Sequence, residues 1–371
     1  MILYLGMAVI LYFLAIYCST KELKTNVGVI GIGKTALFLF ILTTIILGGI
    51  RWETGTDWKT YHDYFYVRRT WKEYSSYRFE IGYVFINFFV RRYFGSYTIL
   101  LLIMSFIIIL LQYKTIKTIA LYPVLSYYFF FCDNIGGMFP VRLNIGMAIA
   151  LTSIYFIHKK NKVAFIAITG IAIAFHRALL LWLISYPLYH KKISSRMIVI
   201  FFIIATIIGM FGTGIFIYIV DVTLVRFGIP GPIATIIKGY ILGSYSDGSF
   251  SIFRMLLSMA KRVIFVFIFL YLRRKISEQY VYADGLINVY LVANIIYSLF
   301  AFREAFAPMA RMITPFLFIE VLLLPVILKI YKKTSTKYIL LLLFFLYGLM
   351  KLNSAISGYS DMYIPYRSIL S

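Results

Sequence analysis

The chain is short of charge, and shortest of negative charge. Only 14% of its 371 residues are charged, and just 14 are Asp or Glu. An ordinary soluble domain carries about 25% charged residues, so a soluble fold of ordinary size is excluded. Cysteine is nearly absent. Cys18 and Cys132 alone cannot build a disulfide framework or a four-thiolate metal site. The four histidines include no pair with metal-ligand spacing, and no Gly-x-Ser-x-Gly elbow is present. Metalloprotease and acyl-hydrolase chemistry therefore lack support, and neither a metal nor a cofactor is expected. The opening MILYLGMAVILYFLAIYCST lacks the basic n-region and the small-residue cleavage site of a secretory signal, so it reads as a retained first helix.

What the chain has instead is apolar surface: 62% of residues are hydrophobic and the mean hydropathy is +0.88. A membrane span needs about 20 predominantly apolar residues, somewhat fewer when the helix is short or tilted, and such runs fill most of the sequence. In lipid, backbone N–H and C=O groups find partners only within a helix or a closed barrel, so these runs are read as helices. The expected fold is all-α, a polytopic integral membrane helix bundle of about twelve transmembrane helices. It forms a single transmembrane domain over residues 1–371, with spans near 2–18, 35–50, 97–112, 119–132, 143–157, 163–175, 178–189, 197–220, 255–272, 282–302, 312–331 and 338–352.

The net charge of +23 falls in small Lys/Arg clusters between apolar runs rather than on one face or arm, which argues against a nucleic-acid partner. The clusters set orientation through the positive-inside rule. Placing Lys159/Lys160/Lys162, Lys191/Lys192/Arg196, Arg273/Arg274/Lys275 and Lys332/Lys333/Lys337 in the cytoplasm gives strict alternation, with Lys114 and Lys117 on the same side. Two polar segments, about 51–96 and 221–254, then face outward, provided the run Ile81 to Val90 does not cross. Ten residues are too few to span, so that run is expected to be a re-entrant or interfacial helix. The expected location is the inner (plasma) membrane, with the active site facing the periplasm or exterior.

Chemistry is sought on that outer side. Five of the fourteen acidic residues, Glu53, Asp57, Asp63, Glu73 and Glu80, lie in RWETGTDWKTYHDYFYVRRTWKEYSSYRFE. Trp52, Trp58, Tyr61, Tyr64, Trp71 and Tyr74 interleave with them. Flat apolar faces beside carboxylates and guanidinium groups suit a sugar ring, although a solvated loop with interfacial aromatics reads the same way. Arg51 begins the segment where a span ends, with Gly55 permitting a tight turn before Asp57; it suits a lipid pyrophosphate, or merely anchors the helix end by snorkelling. Arg142 opens a span, His176-Arg177 separates two, and Arg311 opens another; guanidinium forks there can neutralise a diphosphate without a metal. His176 can take a proton, hydrogen-bond a phosphate, or simply cap a helix. Asp284, Asn288, Asn294 and Glu320 lie within spans and are expected to face the bundle interior. A Walker A match at Gly28 to Thr35 lies between two spans with no strand before it, and is rejected as a nucleotide site.

Taken in order, RWETGTDWKTY at Arg51 to Tyr61, Phe79-Glu80-Ile81-Gly82-Tyr83, Arg142, Ala174-Phe175-His176, Arg311 and Ile364-Pro365-Tyr366 resemble the EpsG family of exopolysaccharide polymerases, which belongs with the Wzy-type O-antigen and capsule polymerases. The sequence departs from the family pattern at Trp58, where a Tyr is common, and at Leu143, where a Gln is frequent. The resemblance implies a GT-C-like, multi-spanning, inverting glycosyltransferase. It would join undecaprenyl-pyrophosphate-linked oligosaccharide repeat units at the periplasmic face, moving the growing chain from its lipid pyrophosphate to a hydroxyl of the incoming unit. It assigns pyrophosphate binding to Arg51, Arg142 and Arg311 and substrate contact to Tyr61 and Tyr366, leaves Asp57, Glu80 and His176 as candidate bases, and implies the lipid bilayer and a chain-length regulator as partners. A lipid-linked oligosaccharide flippase is the main rival, recognisable by basic residues at mid-span, and a ligase or acyltransferase is the second. A reporter fused after Gly248 is expected to register outside the cytoplasm, and a cytoplasmic signal there overturns the topology.

Overall fold

The computed structural model describes residues 1–25, 32–55, 57–77, 79–139, 141–212, 218, 222, 226, 228, 252–302, 307–357 and 360–370. Among these no strand forms beyond an isolated bridge between Arg51 and Ser368, and the chain is helical throughout. Seven helices are long and apolar enough to cross a bilayer, with spans at Ile2–Ser19, Gly33–Ile50, Tyr97–Ile119, Met255–Gln279, Ala283–Phe300, Met309–Ile330 and Thr334–Ser357. The chain is an integral membrane protein. Several helices continue past the predicted ends, so Lys114 and Lys117 ride on the last turns of one and Arg273, Arg274 and Lys275 on another.

The other predicted spans are helical but short. Pro123–Asn134 is a 12-residue helix buried from Val124 to Cys132, so its apolarity reflects packing inside protein. Arg142–His158 has 17 residues, Lys162–Phe175 has 14, and Arg177–Ile184 winds as a 3-10 helix before the short Ser185–His190. The run expected not to cross is the 13-residue helix Ile81–Tyr93.

The chain divides into two compact units, residues 1–179 with 321–371, and residues 180–320. In the first, α1 (Ile2–Thr25) and α2 (Ile32–Ile50) lead to three shorter helices, α3 (Trp58–Val67), α4 (Trp71–Ser75) and α5 (Ile81–Tyr93). There follow α6 (Tyr97–Ile119), α7 (Pro123–Asn134), α8 (Arg142–His158) and α9 (Lys162–Phe175). Gly33, Lys34 and Thr35 of the Walker-like run lie in the first turn of α2, and the element before it is a helix, as the rejection of that motif requires; residues 26–31 lie outside the described residues.

The second unit holds α10 (Ser185–His190), α11 (Ser195–Phe211), α12 (Ile252–Gln279), α13 (Ala283–Phe300) and α14 (Ala307–Leu317). Gly209 brings α11 against α13 so closely that an added Cβ would collide with the Ser298 carbonyl oxygen. Of the four intramembrane polar residues, Asn288, Asn294 and Glu320 are buried as expected. Asp284 is not. It sits in the first turn of α13, 65% exposed, where Arg273 donates to it at 3.1 Å, because an acidic side chain is stabilised at a helix N-terminus. The expected outward segment 221–254 lies outside the described residues except at 222, 226, 228 and 252–254. Returning to the first unit, the chain ends with α15 (Thr334–Ser357) and α16 (Ser360–Tyr363).

Gly209→Val is expected to cost about 1–3 kcal/mol, since an overpacked helix contact forces the backbones apart. The measurement is the melting temperature of the purified protein, and an unchanged value contradicts the close approach.

Candidate active site

The segment between α2 and α6 folds on its own aromatic residues. Tyr64 donates to the Tyr74 carbonyl at 3.0 Å, and Tyr74 returns a bond to the Phe65 carbonyl at 2.6 Å. Phe79 and Tyr83 complete the cluster, with ring centroids 5.4 Å apart. Trp58, Tyr61, Tyr64 and Tyr74 are all buried, so neither an open sugar-stacking face nor a solvated loop describes them; only Trp71 of the six is exposed, with Trp52 half-buried. Aromatic rings this dense satisfy one another.

The acidic residues separate in the same way. Glu73 closes a capping box at the start of α4, accepting from Thr70 Oγ1 at 3.0 Å and from the Arg69 N–H at 2.9 Å. Glu53 and Asp63 are exposed, within 3.7 Å of Arg367 and 3.4 Å of His62. Asp57 is exposed at the N-cap of α3 and makes no side-chain capping bond. Glu80 differs from all four.

Glu80 occupies the N-cap of α5, yet its carboxylate does not cap that helix. Oε1 accepts from both the Nε and the backbone N–H of Arg177 at 3.2 Å, and Oε2 accepts from Nη1 of Arg142. Two glycines make this possible. A Cβ on Gly82 would lie 2.8 Å from the Ala174 carbonyl oxygen, and one on Gly146 would lie 3.0 Å from that of Ala172. Both positions need a bare backbone so that the last turns of α9 can sit against α5 and α8. The Glu-x-Gly spacing therefore delivers a carboxylate to the end of α9.

Arg142, in the first turn of α8, also donates Nε to the Tyr61 hydroxyl at 3.3 Å and stacks 4.1 Å from the Phe79 ring centre. Its side chain is 18% exposed, whereas that of Arg177 is 75% exposed. Half-burial alone would raise the Glu80 pKa, but Arg142 and the Arg177 N–H outweigh it and hold the group below its ordinary 4.5. His176 ends α9, and its Nδ1 accepts the Ala178 N–H at 3.2 Å. A neutral imidazole bonded this way carries its proton on Nε2, and so presents a donor.

The remaining site residues of the first unit meet at the chain terminus. Arg51 is 1% exposed, with Nη1 on the Thr54 carbonyl at 2.9 Å and the guanidinium 5.4 Å from the Phe139 ring centre. Burial lowers its pKa, and Tyr97, Tyr363, Tyr83 and Tyr366 around it oppose that shift. Tyr366 donates to the Leu47 carbonyl at 2.5 Å. Backbone bonds of 2.9 Å run from Trp52 to Arg367, from Gly55 to Met362 and from Ile369 to Ile50. Thus Arg51 to Gly55 and Ile364 to Tyr366 form one junction, and Phe79 to Tyr83, Arg142 and Ala174 to His176 form another. Arg311 belongs to the second unit, exposed near the start of α14.

The profile of the EpsG family matches residues 34–368, nearly the whole chain. The chain belongs to the EpsG family. EpsG proteins are Wzy-like exopolysaccharide and O-antigen polymerases, so this is a membrane repeat-unit polymerase of the glycosyltransferase type in polysaccharide synthesis. No curated protein and no solved structure matches the chain. The EpsG motifs noted in the sequence as separate pieces, Arg311 excepted, are the ones these two junctions pair.

Sequence reasoning counts Arg177 among the arginines that could neutralise a diphosphate but not among the assigned site residues, although it supplies two of the bonds to Glu80. It also passed over Lys261 and Arg262, two adjacent cations inside the span Met255–Gln279 whose signal was a charge pair in an apolar run.

Because the folded-state pKa of Glu80 is depressed, its ion bridges contribute fully above about 4.5 and are lost as pH falls through the lower folded value. The melting-temperature gap between wild type and Glu80→Gln is expected to hold near neutrality and close in acid. A gap that persists or widens in acid contradicts the bridge.

Proposed function

We propose that this EpsG protein polymerises undecaprenyl-pyrophosphate-linked repeat units at the extracytoplasmic face of the inner membrane by inverting glycosyl transfer. The acceptor hydroxyl oxygen bonds to the anomeric carbon of the growing chain's reducing-end sugar as the bond from that carbon to pyrophosphate breaks. The hydroxyl proton passes to a base, and the lipid diphosphate departs with the electron pair. The observation that carries the reading is the Arg142–Glu80–Arg177 cluster on the ends of α5, α8 and α9, in a chain of this family.

In this reading Arg177, with Arg142 behind it, meets the pyrophosphate, and the Nε2–H of His176 adds a donor to the same leaving group. Glu80, with both oxygens engaged by arginine and its proton affinity lowered, positions the cations and is a poor base. Asp57 is assigned as the base. It stands one helical turn before Tyr61 on α3, with the Tyr61 N–H on its carbonyl at 3.1 Å, so it shares a face with the tyrosine that Arg142 touches. Arg51 and Tyr366 hold the adjoining turn, and Arg311 is an anion contact of the second unit. The short helices count as further crossings in a GT-C-like bundle of about twelve, and a chain-length regulator is the protein partner.

One observation favours the flippase rival: Lys261 and Arg262 lie within a span, where a sugar pathway would place cations. In the native host, Arg177→Ala is expected to reduce polymerisation about 10²–10³-fold while protein levels and lipid-linked single units persist. The readout is the loss of the long-chain ladder on a gel. A normal ladder overturns the assignment of Arg177, and deletion of the gene with loss of every unit, including the single one, indicates a flippase or ligase.

A further inference from the structure

In the second unit α12 and α13 pack antiparallel through a polar layer. Lys261 pairs with Glu320 at 3.4 Å, and Tyr290 donates to the same carboxylate at 2.9 Å. One residue along, Arg262 donates Nη1 to the neutral Asn294 amide at 3.1 Å and lies 3.3 Å from the Tyr297 ring centre. The residue is 8% exposed, and its Nε–H is buried with no acceptor. Among the described residues no carboxylate reaches this guanidinium, and the one acidic group in the layer is already engaged by Lys261 and Tyr290.

A guanidinium cannot shed its proton in a protein, so it cannot escape burial by neutralising, as a lysine can. The position lies about two helical turns inside the span that begins at Met255, where an uncompensated charge is expensive. Amide and ring quadrupole soften the cost, but neither supplies a negative charge. On the same helix, Val263 and Val266 face Phe202, Ile203 and Thr206 across an apolar groove of about 270 Å³.

We infer that Arg262, with Lys261 beside it, is an intramembrane anion site that takes the phosphate of a membrane lipid. The phosphate supplies the missing negative charge, and the lipid's chain has an apolar groove alongside. The site stands apart from the Glu80 cluster and does not depend on the polymerase reading, which enters only in the choice of undecaprenyl diphosphate as one probe.

The test is lipid retention by the purified full-length protein in native mass spectrometry, with undecaprenyl diphosphate, phosphatidylglycerol and zwitterionic phosphatidylcholine as probes. Arg262→Gln keeps a donor for Asn294 and removes the charge, and is expected to weaken binding of the anionic lipids at least tenfold while raising the melting temperature of the lipid-free protein. Asn294→Asp leaves the arginine in place but gives it an internal counter-charge, and is expected to expel the same lipids. A preferential loss of undecaprenyl diphosphate assigns the site to lipid-linked substrate, and a parallel loss of phosphatidylglycerol assigns it to bulk phospholipid. Either supports the anion site. Unchanged binding in Asn294→Asp overturns it, as does a lower lipid-free melting temperature of Arg262→Gln with binding intact, which would mark Arg262 as a structural cation only.

Discussion

Glu80 is the carboxylate on which the ends of three helices converge. It stands at the N-cap position of α5 and binds the first turn of α8 and the residue that follows His176, so a single side chain ties Arg142 to Arg177. Two adjacent arginines left to themselves would repel and sample many rotamers. Held by one anion, they become an ordered pair with a net positive charge, its geometry fixed before any ligand arrives.

That arrangement depends on backbone proximity rather than on side-chain volume. Gly82 and Gly146 let α5 and α8 approach the carbonyls of α9, and the aromatic core of Tyr64, Tyr74, Phe79 and Tyr83 fixes the start of α5 from the other side. Hydrophobic burial alone would not choose this geometry, because in lipid it does not distinguish a helix face toward protein from one toward acyl chains. Small residues and polar bonds supply the specificity.

Hydropathy made the membrane class and the long helices legible, since periodic burial hardly matters when every face is apolar. It could not separate a lipid-facing span from a helix enclosed by protein: the run near 119–132 is as greasy as the long spans, yet α7 is 12 residues buried from Val124 to Cys132. The site motifs were visible as pieces, but their pairing was not, because Glu80 and Arg177 are brought together by contacts 97 positions apart in sequence. The aromatic segment misled for a related reason. Composition shows that rings are abundant, whereas only packing shows that they face one another. The polar layer around Arg262 carries a sequence signal in two adjacent cations inside an apolar run, but sequence alone does not show which groups of α13 meet them.

The junction of Arg51 to Gly55 with residues 362–369 has a consequence for the order in which the molecule is made. The turn that follows the second helix is completed by hydrogen bonds from residues translated long after it. Until they arrive, the Ile50 carbonyl and the Trp52 and Gly55 N–H groups lack the partners they have in the finished protein. A chain interrupted before residue 362 would carry each of the seven long apolar helices and still lack the closure of this turn. The turn after α2 thus stays open until residues made long after it have entered the fold.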